Sequence, residues 1–106
     1  MARTVNAYTL KLRDGRYEDA KSLLAEIKAS ATRLGAQQVR LHYASAAGKA
    51  ADALILTVEY ASAADAGVAA DKGWVDSEAN ALADRVAAPD GPVQLISNGT
   101  YTEVEF

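Results

Sequence analysis

The chain has 106 residues, a net charge of −3, half hydrophobic residues and no cysteine. That length holds one core, and the composition excludes disulfides, thiolate chemistry and cysteine-bound metals. Charges of both signs are interspersed without a basic stripe, which argues against nucleic acid as a partner.

One histidine, His42, excludes a histidine-rich metal site within one chain. The start, MARTVNAYTL, lacks the apolar centre of a secretory signal, and no run nears the roughly 18 apolar residues of a membrane span. The expectation is a single soluble domain, 1–106, in the cytoplasm, with no membrane partner. Much of the hydrophobic half is alanine, so mean hydropathy is close to zero. Small side chains bury little area each, and association with a second copy would thicken a thin core.

Residues 3–12, RTVNAYTLKL, are rich in β-branched and aromatic side chains and predict a strand. Asp14-Gly15 predicts a turn and a cap for the helix that follows. From 16 to 34, Tyr17, Ala20, Leu24, Ile27, Ala31 and Leu34 recur at steps of three and four, with Leu23 widening the stripe. Glu18 and Asp19 suit the first turn, Lys28 and Arg33 the end, and Gly35 the stop.

Residues 37–44, QQVRLHYA, alternate: Val39, Leu41 and Tyr43 on one face, Arg40 and His42 on the other. SAAGKAAD (45–52) predicts a small-residue loop, and ALILTVEY (53–60) a second hairpin arm. Ser62 is placed to cap a helix to about Asp71, with a second piece from about Asp76 to Ala88. Lys72-Gly73-Trp74 would join the two, and Pro89-Asp90-Gly91-Pro92 ends the helical region. VQLISNGTYTEVEF (93–106) predicts strand again. Its Asn98-Gly99 is either a two-residue hairpin turn or a glycine bulge in one long strand.

The order is β-α-β-β-α-α-β, which gives an α+β sandwich, ferredoxin-like in connectivity, with helices on one face of an antiparallel sheet. The other face is also partly apolar: Ile55 lies opposite the Leu54/Leu56/Val58 side, and Val5 and Ala7 opposite Tyr8 and Leu10. A solvated face would be polar at alternate positions. A second copy of the chain is the simplest cover, so a homodimer through this face is expected.

This element order resembles the dimeric α+β barrel superfamily over nearly the whole chain. The local echoes are ALILTVEYASAADA (53–66), a strand ending on an aromatic before a serine-capped helix, and AADKGWVDSEANALADRV (69–86), similar to that family's broken second helix. The family includes antibiotic-biosynthesis and haem-degrading monooxygenases. Its long, bent last strand, which helps to link subunits, favours the long-strand reading of Asn98-Gly99. Its monooxygenases often carry an asparagine on the first strand and a tryptophan in the second helical region, positions that Asn6 and Trp74 resemble. Haem degradation would further imply a histidine after the tryptophan, where this chain has Asp84 and Arg85.

The candidate pocket residues are Asn6, Tyr8, His42, Thr57 and Trp74. Asn6 and Tyr8 share one face of the first strand, where a buried amide needs a hydrogen-bond partner. Trp74 has two readings, stacking on a flat ligand or anchoring the core where two helices meet. His42 shares a face with Arg40, and Thr57 and Glu59 stand across the hairpin, either as acid–base chemistry or as an ordinary Arg40–Glu59 ion pair. Glu103 and Glu105 read as a solvated edge. The sequence carries no nucleophile–base–acid set and no phosphate loop.

Two functions follow. The resemblance implies a cofactor-independent monooxygenase acting on a small aromatic or polyketide-like substrate. In that scheme the substrate anion activates oxygen, and no metal or flavin is required. The scarcity of titratable residues favours instead a non-catalytic dimer that holds a small hydrophobic ligand.

Overall fold

A computed structural model describes residues 2–44 and 53–106. The predicted loop 45–52 lies outside the described residues. The chain runs β1 (Thr4–Leu12), α1 (Tyr17–Arg33), β2 (Gln38–Tyr43), β3 (Leu54–Tyr60), α2 (Ala63–Trp74), α3 (Ser77–Ala87) and β4 (Val93–Thr102). The four strands form one antiparallel sheet in the order β2-β3-β1-β4. This is the expected ferredoxin-like α+β sandwich. No helix among the described residues is long and apolar enough to cross a membrane.

Period-two alternation sorts the sheet's two faces. Thr4, Asn6, Tyr8 and Leu10 on β1 share the helix-side face with Leu54, Leu56, Val58 and Tyr60 on β3, as the paired register requires. Leu10, Leu56, Val58 and Tyr60 are buried there beneath Leu23 and Leu24 of α1 and Leu82 of α3. The opposite face carries Val5, Ala7 and Thr9 beside Ile55, Thr57 and Glu59, all half-buried. It is mixed rather than polar.

Local chemistry fixes the helix ends. Helix α1 closes in a Schellman turn: Gly35, at φ 122°, donates to the Thr32 carbonyl at 3.2 Å and Ala36 to that of Ala31 at 3.0 Å. Its start departs from expectation. Asp14-Gly15 does turn the chain, with Gly15 at φ 74°, but Arg16 occupies the cap position and no side chain caps the helix. The Arg16 guanidinium bonds Asp19 in the first turn instead, at 2.8 Å. Tyr17, the first residue of the expected apolar stripe, is exposed beneath the Lys21 ammonium.

Ser62 caps α2 by accepting from the Asp65 amide at 3.1 Å, and Asp76 caps α3 by accepting from Ala79 at 2.8 Å. The break between these helices comes later than expected. Helix α2 continues through Lys72-Gly73-Trp74, and the chain turns at Val75-Asp76. Arg33, at the end of α1, grips both carboxylate oxygens of Asp76 at 3.1 and 2.8 Å, and Arg85 on α3 reaches Glu26 on α1 at 2.8 Å. These contacts tie α3 alongside α1.

The last strand is continuous, and Asn98-Gly99 is not a hairpin turn. Asn98 pairs with Tyr8 and Gly99 with Ala7. The register shift falls at Ile96, before the glycine, where β4 has one residue more than β1 between the Thr9–Ser97 and Leu10–Leu95 pairs. Gly99 has a different reason to be glycine. A Cβ there would lie 3.0 Å from the Tyr101 hydroxyl oxygen and 3.2 Å from its ring. The bare backbone makes room for Tyr101 across the face away from the helices.

Candidate functional site

A cavity of about 560 Å³ lies between the sheet and the helices. Its volume falls in the range of small-molecule sites. Its origin is the alanine content that the sequence offers as the sign of a thin core. Ala66, Ala69 and Ala70 of α2 and Ala79, Ala83 and Ala87 of α3 line one wall, and Leu10, Leu56 and Val58 of the sheet line the other. Methyl groups do not reach across the gap that leucines would close. Ile27 and Ala31 of α1, Leu34 just past its end, and Leu82 and Val86 of α3 add to the apolar lining. The cavity is open toward β4, where Leu95 is 43% exposed and the facing Ala83 and Ala87 are exposed too.

Few polar groups enter this space. Asn6 and Tyr8 both line it, side by side on the helix-facing side of β1. The Asn6 amide oxygen accepts from the Thr100 hydroxyl of β4 at 2.8 Å, which orients its amide nitrogen. Burial raises the Tyr8 phenol above its ordinary value. Tyr60 of β3 also lines the cavity, raised first by burial and further by the nearby Tyr8. Both phenols are therefore protonated at neutral pH and available as donors. Ser30 of α1, Arg13, just past β1, and Gln94 of β4 add to the polar set, and among the described residues none that lines the cavity is acidic or a histidine.

The other expected site residues lie elsewhere. His42 pairs with Ile55 and Thr57 with Arg40, all on the sheet face away from the helices, so neither His42 nor Thr57 reaches the cavity. The expected Arg40–Glu59 pair does not form. Glu59 bonds Arg3 at 2.8 Å, and Arg40 bonds Gln38 at 2.7 Å, because Gln38 rather than Arg40 stands opposite Glu59.

Trp74 is 83% exposed in the single chain, neither core anchor nor cavity wall. Helical spacing explains this. With α2 unbroken, Ala66, Ala69 and Gly73 fall on the inward side, and Gly73 approaches Leu34 of α1, where a Cβ would lie 3.8 Å from its Cδ1. Trp74 follows one residue later, about 100° around the helix.

Tyr60 and Arg13 were absent from the sequence expectation. Tyr60 was legible as the last residue of the Leu54/Leu56/Val58 face, once that face is known to line a space. Arg13 sits beyond the alternating run, and nothing in KLRDG marks which way it turns.

Solved structures share this architecture. A NIPSNAP family protein from Agrobacterium tumefaciens superposes with TM-score 0.67 at 17% identity, over 98% of this chain and 93% of that one. A protein from Bordetella bronchiseptica, provisionally named an antibiotic biosynthesis monooxygenase, gives 0.62 at 15% identity, over 100% and 99%. A dimeric protein of unknown function and ferredoxin-like fold from Bacteroides fragilis gives 0.50 at 14%, over 95% and 94%. No protein-family model and no curated protein matches the chain. The structural neighbours are NIPSNAP and antibiotic-biosynthesis-monooxygenase-like proteins, in agreement with the resemblance read from the sequence. At these identities the likeness shows the fold and not an activity.

Proposed function

We propose that the chain acts as a homodimer that binds a small, largely apolar molecule in the cavity between sheet and helices. The cavity itself carries this reading: about 560 Å³ of mostly alanine- and leucine-lined space, with donors from Asn6, Tyr8 and Tyr60 near one another. Polar groups so few and so placed would orient a ligand rather than solvate it. Supporting the dimer, the opposite sheet face presents Val5, Ala7, Ile55 and Tyr101, and one structural neighbour is dimeric. A light-scattering mass of twice the chain supports that part, and a monomer at high concentration overturns it.

The monooxygenase reading has its own support in the shared fold and in the amide of Asn6 beside the Tyr8 phenol. A ligand ionised in the cavity would there meet neutral donors and no competing carboxylate. Oxygen uptake with anthrone-type or dihydroxynaphthalene substrates decides between the two. Turnover above a heat-denatured control makes the chain an enzyme, and ligand-induced stabilisation without turnover makes it a binding protein.

A further inference from the structure

Arg13 is a cation in an unusual position. It lines the cavity, and its Nε is buried with no hydrogen-bond partner among the described residues. Its backbone is held in place, since its amide donates to the Pro92 carbonyl at 3.0 Å, beside the start of β4. The neighbouring arginines are committed elsewhere. Arg16 bonds Asp19 and the Asp90 carbonyl, each at 2.8 Å, and Arg85 bonds Glu26 at 2.8 Å. No carboxylate lies within ion-pair distance of Arg13 among the described residues.

A buried donor without an acceptor is costly, and native structures rarely leave one unexplained. Most of the cavity is apolar and its polar lining is neutral apart from Arg13, so no described residue there neutralises the guanidinium. Arg13 also lies at the end of β1 that neighbours Leu95, where the cavity opens.

Building on the ligand-binding reading above, we propose that the ligand is an amphipathic acid: an apolar body in the alanine-lined cavity and one anionic oxygen group held by Arg13. A guanidinium presents parallel N–H donors that match a carboxylate in two hydrogen bonds, stronger than those to a neutral group. The far end of such a ligand would meet the Tyr8 and Tyr60 hydroxyls, which remain neutral donors and do not repel it.

Isothermal titration with 2-naphthoate and its neutral, similarly shaped amide, 2-naphthamide, tests this directly. The wild-type chain is expected to bind naphthoate at least tenfold more tightly. Arg13→Gln should remove that preference while keeping naphthamide affinity within about threefold, and Arg13→Lys should retain part of it. Equal affinity for both probes in the wild type overturns the assignment of an acid and leaves the cavity reading intact. So does a preference that survives in folded Arg13→Gln. Failure of the wild type to bind either probe overturns the cavity reading and this inference together. The wild-type comparison stands even where a variant does not fold.

Discussion

Helix α1 meets the sheet with leucines, whereas α2 and α3 meet it with alanines. Leu23 and Leu24 sink into the core from α1, while α2 buries only Ala69 and α3 only Leu82. All three helices cover the same sheet face, yet only the first half of α1, with Leu23 and Leu24, fills the space beneath it. Over α2 and α3 the methyl-lined wall stands off the strands, and the cavity opens there. Packing density is thus distributed unevenly, with a tight half that holds the fold and a loose half that holds room. Burial of apolar area stabilises the first, and the second gives up some of that stabilisation for volume.

Truncating each half should expose the asymmetry. Leu23, 1% exposed, is surrounded on all sides. Leu23→Ala should cost about 2–5 kcal/mol in urea unfolding, the upper part of that range if the site cannot collapse. Leu82→Ala should cost clearly less, because Leu82 already borders empty space and loses fewer contacts. Equal losses would mean that the cavity is filled in solution.

The junction between the halves carries a smaller, pH-dependent contribution. The Arg33 guanidinium, and then the Ala79 amide, hold the Asp76 carboxyl below its ordinary range. A carboxylate lowered in the folded state stabilises it above the usual value of about 3.9. That contribution is lost as pH falls through the lowered value. Asp76→Asn should therefore be less stable than wild type at neutral pH and converge with it at acid pH, as followed by thermal melts. A constant difference at all pH values would assign the effect to the helix cap alone. Smallest of all should be Trp74→Ala, within about 0.5 kcal/mol, because the ring is in solvent. A larger loss that depends on protein concentration would show a second copy covering it.

The tight half was legible in the sequence and the loose half was not. The apolar stripe of α1, the glycine that stops it and the alternation of β3 each state a local rule, and the structure follows all three except at Tyr17, the exposed head of the stripe. Asn6 and Tyr8 were paired correctly because period two decides which residues share a strand face. Trp74 was misread because Gly73 looked like a break. In the structure Gly73 is an interior residue of α2 facing Leu34 with room for a methyl group, and a lone glycine gives the same letter for a break and for such a position. Asn98-Gly99 carried the same ambiguity, which the pairing of Asn98 with Tyr8 and of Gly99 with Ala7 settles in favour of a strand. The cavity was invisible because alanine spacing reports which side of a helix faces inward and not how far away the sheet lies. Arg13 lay beyond the last residue whose direction alternation could fix.

The central claim is that alanines on α2 and α3 keep a ligand cavity open, and Ala66→Leu tests it most directly. Ala66 lines the cavity and packs against the core from α2. Thermal melts of wild type and Ala66→Leu with and without 2-naphthamide give the answer in one experiment. The account predicts that the variant alone is more stable, by about 0.5–2 kcal/mol as cavity filling usually gives, and that naphthamide stabilises only the wild type. A variant destabilised by overpacking, by about 1–3 kcal/mol, that is still stabilised by naphthamide would contradict it.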